Sequence, residues 1–154
     1  SYAHNTYNDY PLSDWYPGDD YVDWVGISVF DQPYYEPGLG PDGDAVLHFA
    51  KQHKKPVMIC ESNPIKGIEA ENPDAWKNWF VNFFTIAYNK NIRAISFINE
   101  DWTSIHISGT SEWKDARLNN NKKISDAWFL ETNKEHYLKQ SPELFELLGY
   151  KKSN

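Results

Sequence analysis

The sequence predicts an α/β fold built on parallel strands. Short apolar runs at residues 21–30, 56–60 and 92–98 are rich in β-branched and aromatic residues. Stretches with helical periodicity separate them, and no hairpin turn joins one run to the next. Strands that alternate with helices pair in parallel, because only a crossover brings the chain back to the same end of the sheet.

The elements follow in order. Residues 1–20 are dominated by Tyr, Asn, Asp, Ser and Pro and form a loop leading into the first strand, 21–30. Residues 44–53 carry apolar side chains at helical spacing behind Asp44, which is suited to capping. The second strand, Pro56 to Cys60, ends at Glu61 and is closed by Ser62-Asn63-Pro64. Residues 72–88 form the next helix, with Asn72 as N-cap, Pro73 at the first helical position, and an apolar face of Trp76, Trp79/Phe80, Phe83/Phe84 and Ala87. The third strand, 92–98, is followed by a polar stretch, 99–121, and by helical segments at 125–138 and 142–148. Three parallel strands leave hydrophobic edges open, so residues 1–154 are expected to be part of a larger domain.

Composition narrows the function classes. A length of 154 residues suits one domain with a real core. The formal charge of −7 argues against nucleic acid, whose phosphates require clustered Lys and Arg. Aromatics make up 16% of the chain, including seven Trp and ten Tyr, and their flat faces with a polar handle suit stacking on sugar rings as well as filling a core. The lone Cys60 precludes an internal disulfide. No apolar run is long enough to span a bilayer, so no membrane is expected as a partner. The His residues lack metal-ligand spacing, and Asp19, Asp20 and Asp23 lack the Gly and later Glu of a calcium loop, so neither a metal nor another cofactor is expected. Those Asp residues are expected to cap turns before the first strand, and Glu69, Glu71 and Asp74 to favour the start of the following helix.

Glu61 is the leading candidate for chemistry. A carboxylate at the C-terminal end of a buried parallel strand emerges where α/β enzymes keep their sites. The segments 15–30, 55–62 and 94–102 together resemble, in order, the C-terminal half of glycoside hydrolase family 26, which includes β-mannanases, β-1,3-xylanases and lichenase-type enzymes. The resemblance covers almost the whole chain. It implies a (β/α)₈ barrel in which the three runs are strands six, seven and eight and residues 1–5 are the tail of strand five. It further implies that Glu61 is the nucleophile of a retaining glycosidase, with the acid/base at the end of strand four, upstream of Ser1.

Retaining hydrolysis needs two carboxyl groups about 5–5.5 Å apart, and the nucleophile must stay ionised, which calls for hydrogen-bond donors around it. Relatives commonly place a Tyr after strand six for this purpose. Here that position is Phe30, so Tyr34 or Tyr35 is expected to supply the hydroxyl. The resemblance also makes Trp102 the aromatic platform under the sugar, Asn99 a hydrogen-bonding partner of sugar hydroxyls ahead of Glu100 and Asp101, His4 a contact from strand five, and Trp15 and Trp113 rim residues. The implied protein is a secreted or cell-surface hydrolase of mannan, β-1,3-xylan or mixed-linkage glucan. Its partners would be the polysaccharide and the N-terminal part of the barrel, without which this chain is expected to be inactive. A non-catalytic carbohydrate-binding or scaffolding protein on a decayed barrel is the alternative that Phe30 favours, and a self-associating half-barrel is a third.

Overall fold

The computed structural model describes residues 11–68, 74–105, 109 and 111–150. Strands β1 (Val25–Val29), β2 (Val57–Ser62) and β3 (Ala94–Ile95) form a three-stranded parallel sheet in the order β1-β2-β3. Helix α1 (Gly40–Gln52) crosses from β1 to β2, and α2 (Val81–Asn89) from β2 to β3. Helices α3 (Lys122–Thr132) and α4 (Leu144–Leu147) follow the sheet. The expected N-cap and first turn of the second helix, Asn72 and Pro73, lie outside the described residues, as do Glu69 and Glu71.

Side-chain alternation decides which face is covered. Ile27 and Val29 of β1 and Val57 and Ile59 of β2 are buried against Val46 and Ala50 of α1 and Phe83, Phe84 and Ile86 of α2. Gly26, Ser28, Met58 and Cys60 point the other way and are only half-buried. The strongest packing is aromatic. A π-helical turn, Trp76–Phe80, leads into α2 and buries the adjacent Trp79 and Phe80 completely. Trp79 stacks on Phe83 at 4.7 Å, and its indole N–H donates to the Phe30 carbonyl at 2.6 Å. Trp128 docks α3 by packing on Phe84 and Phe97, at 5.6 and 5.0 Å.

Several expected boundaries change. Asp44 is no cap: α1 begins at Gly40 behind Leu39, with Pro41 in its first turn, and Asp44 lies inside it, paired with Lys90 of the α2 end at 2.8 Å. The first strand is shorter than 21–30, and its flank Trp24 instead donates to the Tyr150 hydroxyl at 3.0 Å. The third run does lie along β2, through hydrogen bonds from Arg93, Ser96 and Ile98 N–H to the carbonyls of Val57, Ile59 and Ser62. Its steps do not match: residues 93–96 span three positions against two in β2, and 96–98 two against three. Each mismatch interrupts the ladder, so regular pairing survives only at Ala94–Ile95. The segment expected at 125–138 shifts toward the N-terminus as α3, which both begins and ends earlier, and that expected at 142–148 shortens to α4.

A polar knot fixes the chain beyond β3. The Arg117 guanidinium donates to both carboxylate oxygens of Asp115, at 2.5–3.1 Å, and to Asp101 at 3.1 Å; Asn120 also donates to Asp115. Asp101 in turn accepts from the Thr103 N–H and hydroxyl, capping the 3-10 turn Trp102–Ser104. Hydrogen bonding from Arg117 holds the Asp115 carboxyl below the usual carboxylate range. A depressed pKa contributes stability that is present above the unfolded value of about 3.9 and is lost as pH falls through the folded value. Asp115→Asn is therefore expected to cost roughly 1–2 kcal/mol at neutral pH and to flatten the acid limb below about pH 4. Melting temperatures of both proteins across that range check this, and parallel acid limbs would rule it out.

Candidate functional site

Glu61 is brought to the open face by a bulge. Ile27 pairs with Ile59 but Ser28 pairs with Glu61, so β2 has one residue more than β1 at this point. Simple alternation would put Glu61 on the covered face with Val57 and Ile59. The extra residue moves Ser62 there instead, where it is fully buried with its hydroxyl on the Ser96 carbonyl at 2.7 Å, and leaves Glu61 exposed. Gly26 leaves room for Cys60 at the bulge: a Cβ there would lie 3.1 Å from the Cys60 sulfur, which itself donates to the Ile27 carbonyl at 3.2 Å.

The donor to Glu61 is Ser28. Its hydroxyl is 2.7 Å from Glu61 Oε2, a contact that follows from the bulged register. Tyr34, expected in this role, makes no hydrogen bond to Glu61 among the described residues. It lies in the 3-10 turn Gln32–Tyr34, accepts from the Lys66 N–H at 2.9 Å, and has Lys66 Nζ 4.4 Å from its ring centroid. Burial pushes its hydroxyl up to about 12. Tyr34 thus ties the loop after β1 to the loop after β2, while Tyr35 points to solvent, 78% exposed.

Aromatic rings cross the same end of the sheet. Phe30, just past β1, packs on Trp113 at 4.9 Å, and Trp113 meets Trp102 edge-on at 4.8 Å. Phe30 follows the first strand and Trp102 follows the third, so the row flanks the end of the middle strand, which carries Glu61. Among the described residues, the buried Trp102 indole N–H and both amide atoms of Asn63, two residues beyond Glu61, meet no hydrogen-bond partner.

The remaining expected contacts are distributed differently. Asn99 uses its side-chain oxygen to accept from the Leu118 N–H at 2.7 Å, which leaves its amide N–H₂ for other partners. Glu100 accepts from the Asp101 N–H at 2.7 Å, and Asp101 belongs to the Arg117 knot. Trp15 is 62% exposed in the 3-10 turn Leu12–Trp15. Its neighbour Tyr16 packs on Phe49 and His53 where α1 leads into the start of β2, so Trp15 belongs to the end of the sheet opposite Glu61. There Asp19 accepts from the Tyr16 hydroxyl and contacts His53, both at 2.8 Å, fastening the turn before β1. His4 lies outside the described residues.

Ser28 is the functional candidate that the sequence alone did not single out. Alternation puts Ser28 on the face opposite Ile27 and Val29, which was legible; its register with Glu61 was not. A cavity of about 800 Å³, lined by Trp24, Pro56, Arg93, Tyr137 and Leu144 among others, lies at the opposite strand ends and is separate from Glu61. Among the described residues, no group of three or more His, Cys, Asp or Glu is placed to hold a metal ion. No helix among them is long and apolar enough to cross a membrane.

No protein-family model matches the chain. It is similar to β-1,3-xylanases. One, β-1,3-xylanase TXYA of a Vibrio species, is 29% identical over 93% of this chain and 35% of its own length. Another, from an Alcaligenes species, is 30% identical over 90% of this chain and 34% of its own length. The chain thus spans about a third of the curated relatives it matches.

Proposed function

We propose that this chain is the C-terminal part of the (β/α)₈ barrel of a secreted retaining glycoside hydrolase of the family 26 type, with Glu61 as nucleophile. The observation that carries this reading is the bulge that turns Glu61 to the open face at the C-terminal end of the middle strand, beside the Phe30, Trp113 and Trp102 rings. Of the three β-glycans the resemblance implies, the xylanase relatives favour β-1,3-xylan.

In the first step Glu61 attacks the anomeric carbon, and the bond to the leaving oxygen breaks as a carboxylic acid from the rest of the protein protonates it. In the second step water attacks the same carbon, the acid/base removes its proton, and Glu61 leaves as a carboxylate. Without that acid/base, roughly 10²- to 10⁴-fold of rate is missing, so the activity belongs to the full-length protein.

The test is to incubate the full-length protein with a 2-deoxy-2-fluoro-xylosyl fluoride and map the labelled peptide by mass spectrometry. The expected label is one 2-deoxy-2-fluoroxylosyl unit on Glu61, formed with loss of the anomeric fluoride, in a protein that cleaves β-1,3-xylan in preference to mannan and mixed-linkage glucan. A label on another carboxylate would remove Glu61 from the mechanism. Sugar binding without any label or cleavage would favour a carbohydrate-binding protein on a decayed barrel.

A further inference from the structure

We propose that Ser28 is the positioning residue of Glu61: it holds Oε2, assigns attack to Oε1, and assists departure of the carboxylate in the second step. The inference rests on the reading of Glu61 as nucleophile. Three observations carry it. Ser28 Oγ lies 2.7 Å from Glu61 Oε2. The two residues are paired in register only because β2 is bulged. Ser28 is the one hydrogen-bond donor to the Glu61 side chain among the described residues.

A Glu side chain samples several rotamers about its three torsions, whereas attack needs one near-aligned geometry. One hydrogen bond from a strand residue selects the carboxylate orientation and leaves one oxygen free. The bond then acts differently in the two steps. During attack, negative charge leaves the carboxylate as Oε1 bonds to the anomeric carbon, so the hydrogen bond weakens and its cost offsets part of the gain from orientation. In the resulting ester, Oε2 is the carbonyl oxygen and still accepts from Ser28. When water attacks the anomeric carbon and the bond to Oε1 breaks, charge returns to the carboxylate and the hydrogen bond strengthens. A preplaced donor that gains strength in the transition state accelerates that step. Ser28 therefore contributes more to release of the sugar than to its attachment.

The experiment uses the full-length protein with Ser28→Ala and Ser28→Thr, and the fluoroxylosyl reagent as probe. Reactivation of the labelled Ser28→Ala enzyme is expected to slow by about 10- to 100-fold, with labelling slowed less. On an activated aryl xyloside, kcat and KM should fall together as the covalent intermediate accumulates. Ser28→Thr, which keeps the hydroxyl on a strand-compatible side chain, should restore reactivation to within about threefold. Melting temperatures separate this from misfolding, since a merely structural serine would lower stability without changing the ratio of the two steps. Reactivation equal to wild type in Ser28→Ala, or equal slowing in Ser28→Ala and Ser28→Thr, would overturn the proposal while leaving Glu61 as nucleophile. Full turnover in Glu61→Gln would instead overturn the parent reading.

Discussion

Replacing Glu61 by Gln in the full-length protein is expected to lower kcat by on the order of 10³-fold or more and to change substrate affinity only severalfold. The amide is nearly isosteric and its oxygen still accepts from the Ser28 hydroxyl, so the site keeps its shape. What it loses is the negative oxygen that attacks the anomeric carbon. Affinity is measured by calorimetry with a xylo-oligosaccharide, and turnover by reducing-end release. Glu61→Ala adds a second reading, because it opens space on the attacking face. Azide is then expected to restore turnover of an activated β-xyloside and to leave an α-xylosyl azide as product, since it attacks from the side that Glu61 vacates. Near-normal kcat in Glu61→Gln, or a β-configured azide product from Glu61→Ala, would assign the nucleophile elsewhere.

Trp79→Ala should produce the largest loss of stability, roughly 3–5 kcal/mol from lost burial and the cavity it leaves. Trp79 is fully buried, stacked on Phe83 and edge-on to Phe80, and it also satisfies the Phe30 carbonyl. At about 2–4 °C per kcal/mol for a domain of this size, the melting temperature should fall by roughly 6–20 °C. Trp79→Phe keeps much of the ring packing but leaves the Phe30 carbonyl without its donor, a cost of roughly 1–3 kcal/mol. The difference between the two variants separates packing from the hydrogen bond. A drop of less than about 2 °C in Trp79→Ala would show that the aromatic layer beneath the sheet is not what holds it. Because Phe30 also touches Trp113, the Phe variant is further expected to disturb the aromatic row beside Glu61.

Much of the architecture was legible because apolar periodicity is set by burial, and burial is set by which side chains avoid water. The strand and helix order, the apolar faces of β1, β2 and α2, and the position of Glu61 at a strand end all follow from that one-dimensional signal. Helix starts were less legible. Asp44 has the chemistry of a cap, yet α1 begins four residues earlier, at Gly40, and Asp44 instead pairs with Lys90 from another helix. The polar stretch after β3 carried no periodicity, so the Asp101–Arg117–Asp115 knot left no trace in the pattern.

Parallel strands, an aromatic core and a carboxylate at the C-terminal end of the middle strand are each properties of a contiguous segment and can be read along the chain. The face that Glu61 occupies and the side chain that holds it depend on how two strands pair. A bulge is a mismatch between two strands, and neither strand's sequence records the register of its neighbour. That mismatch sets Ser28 rather than Tyr34 against Glu61.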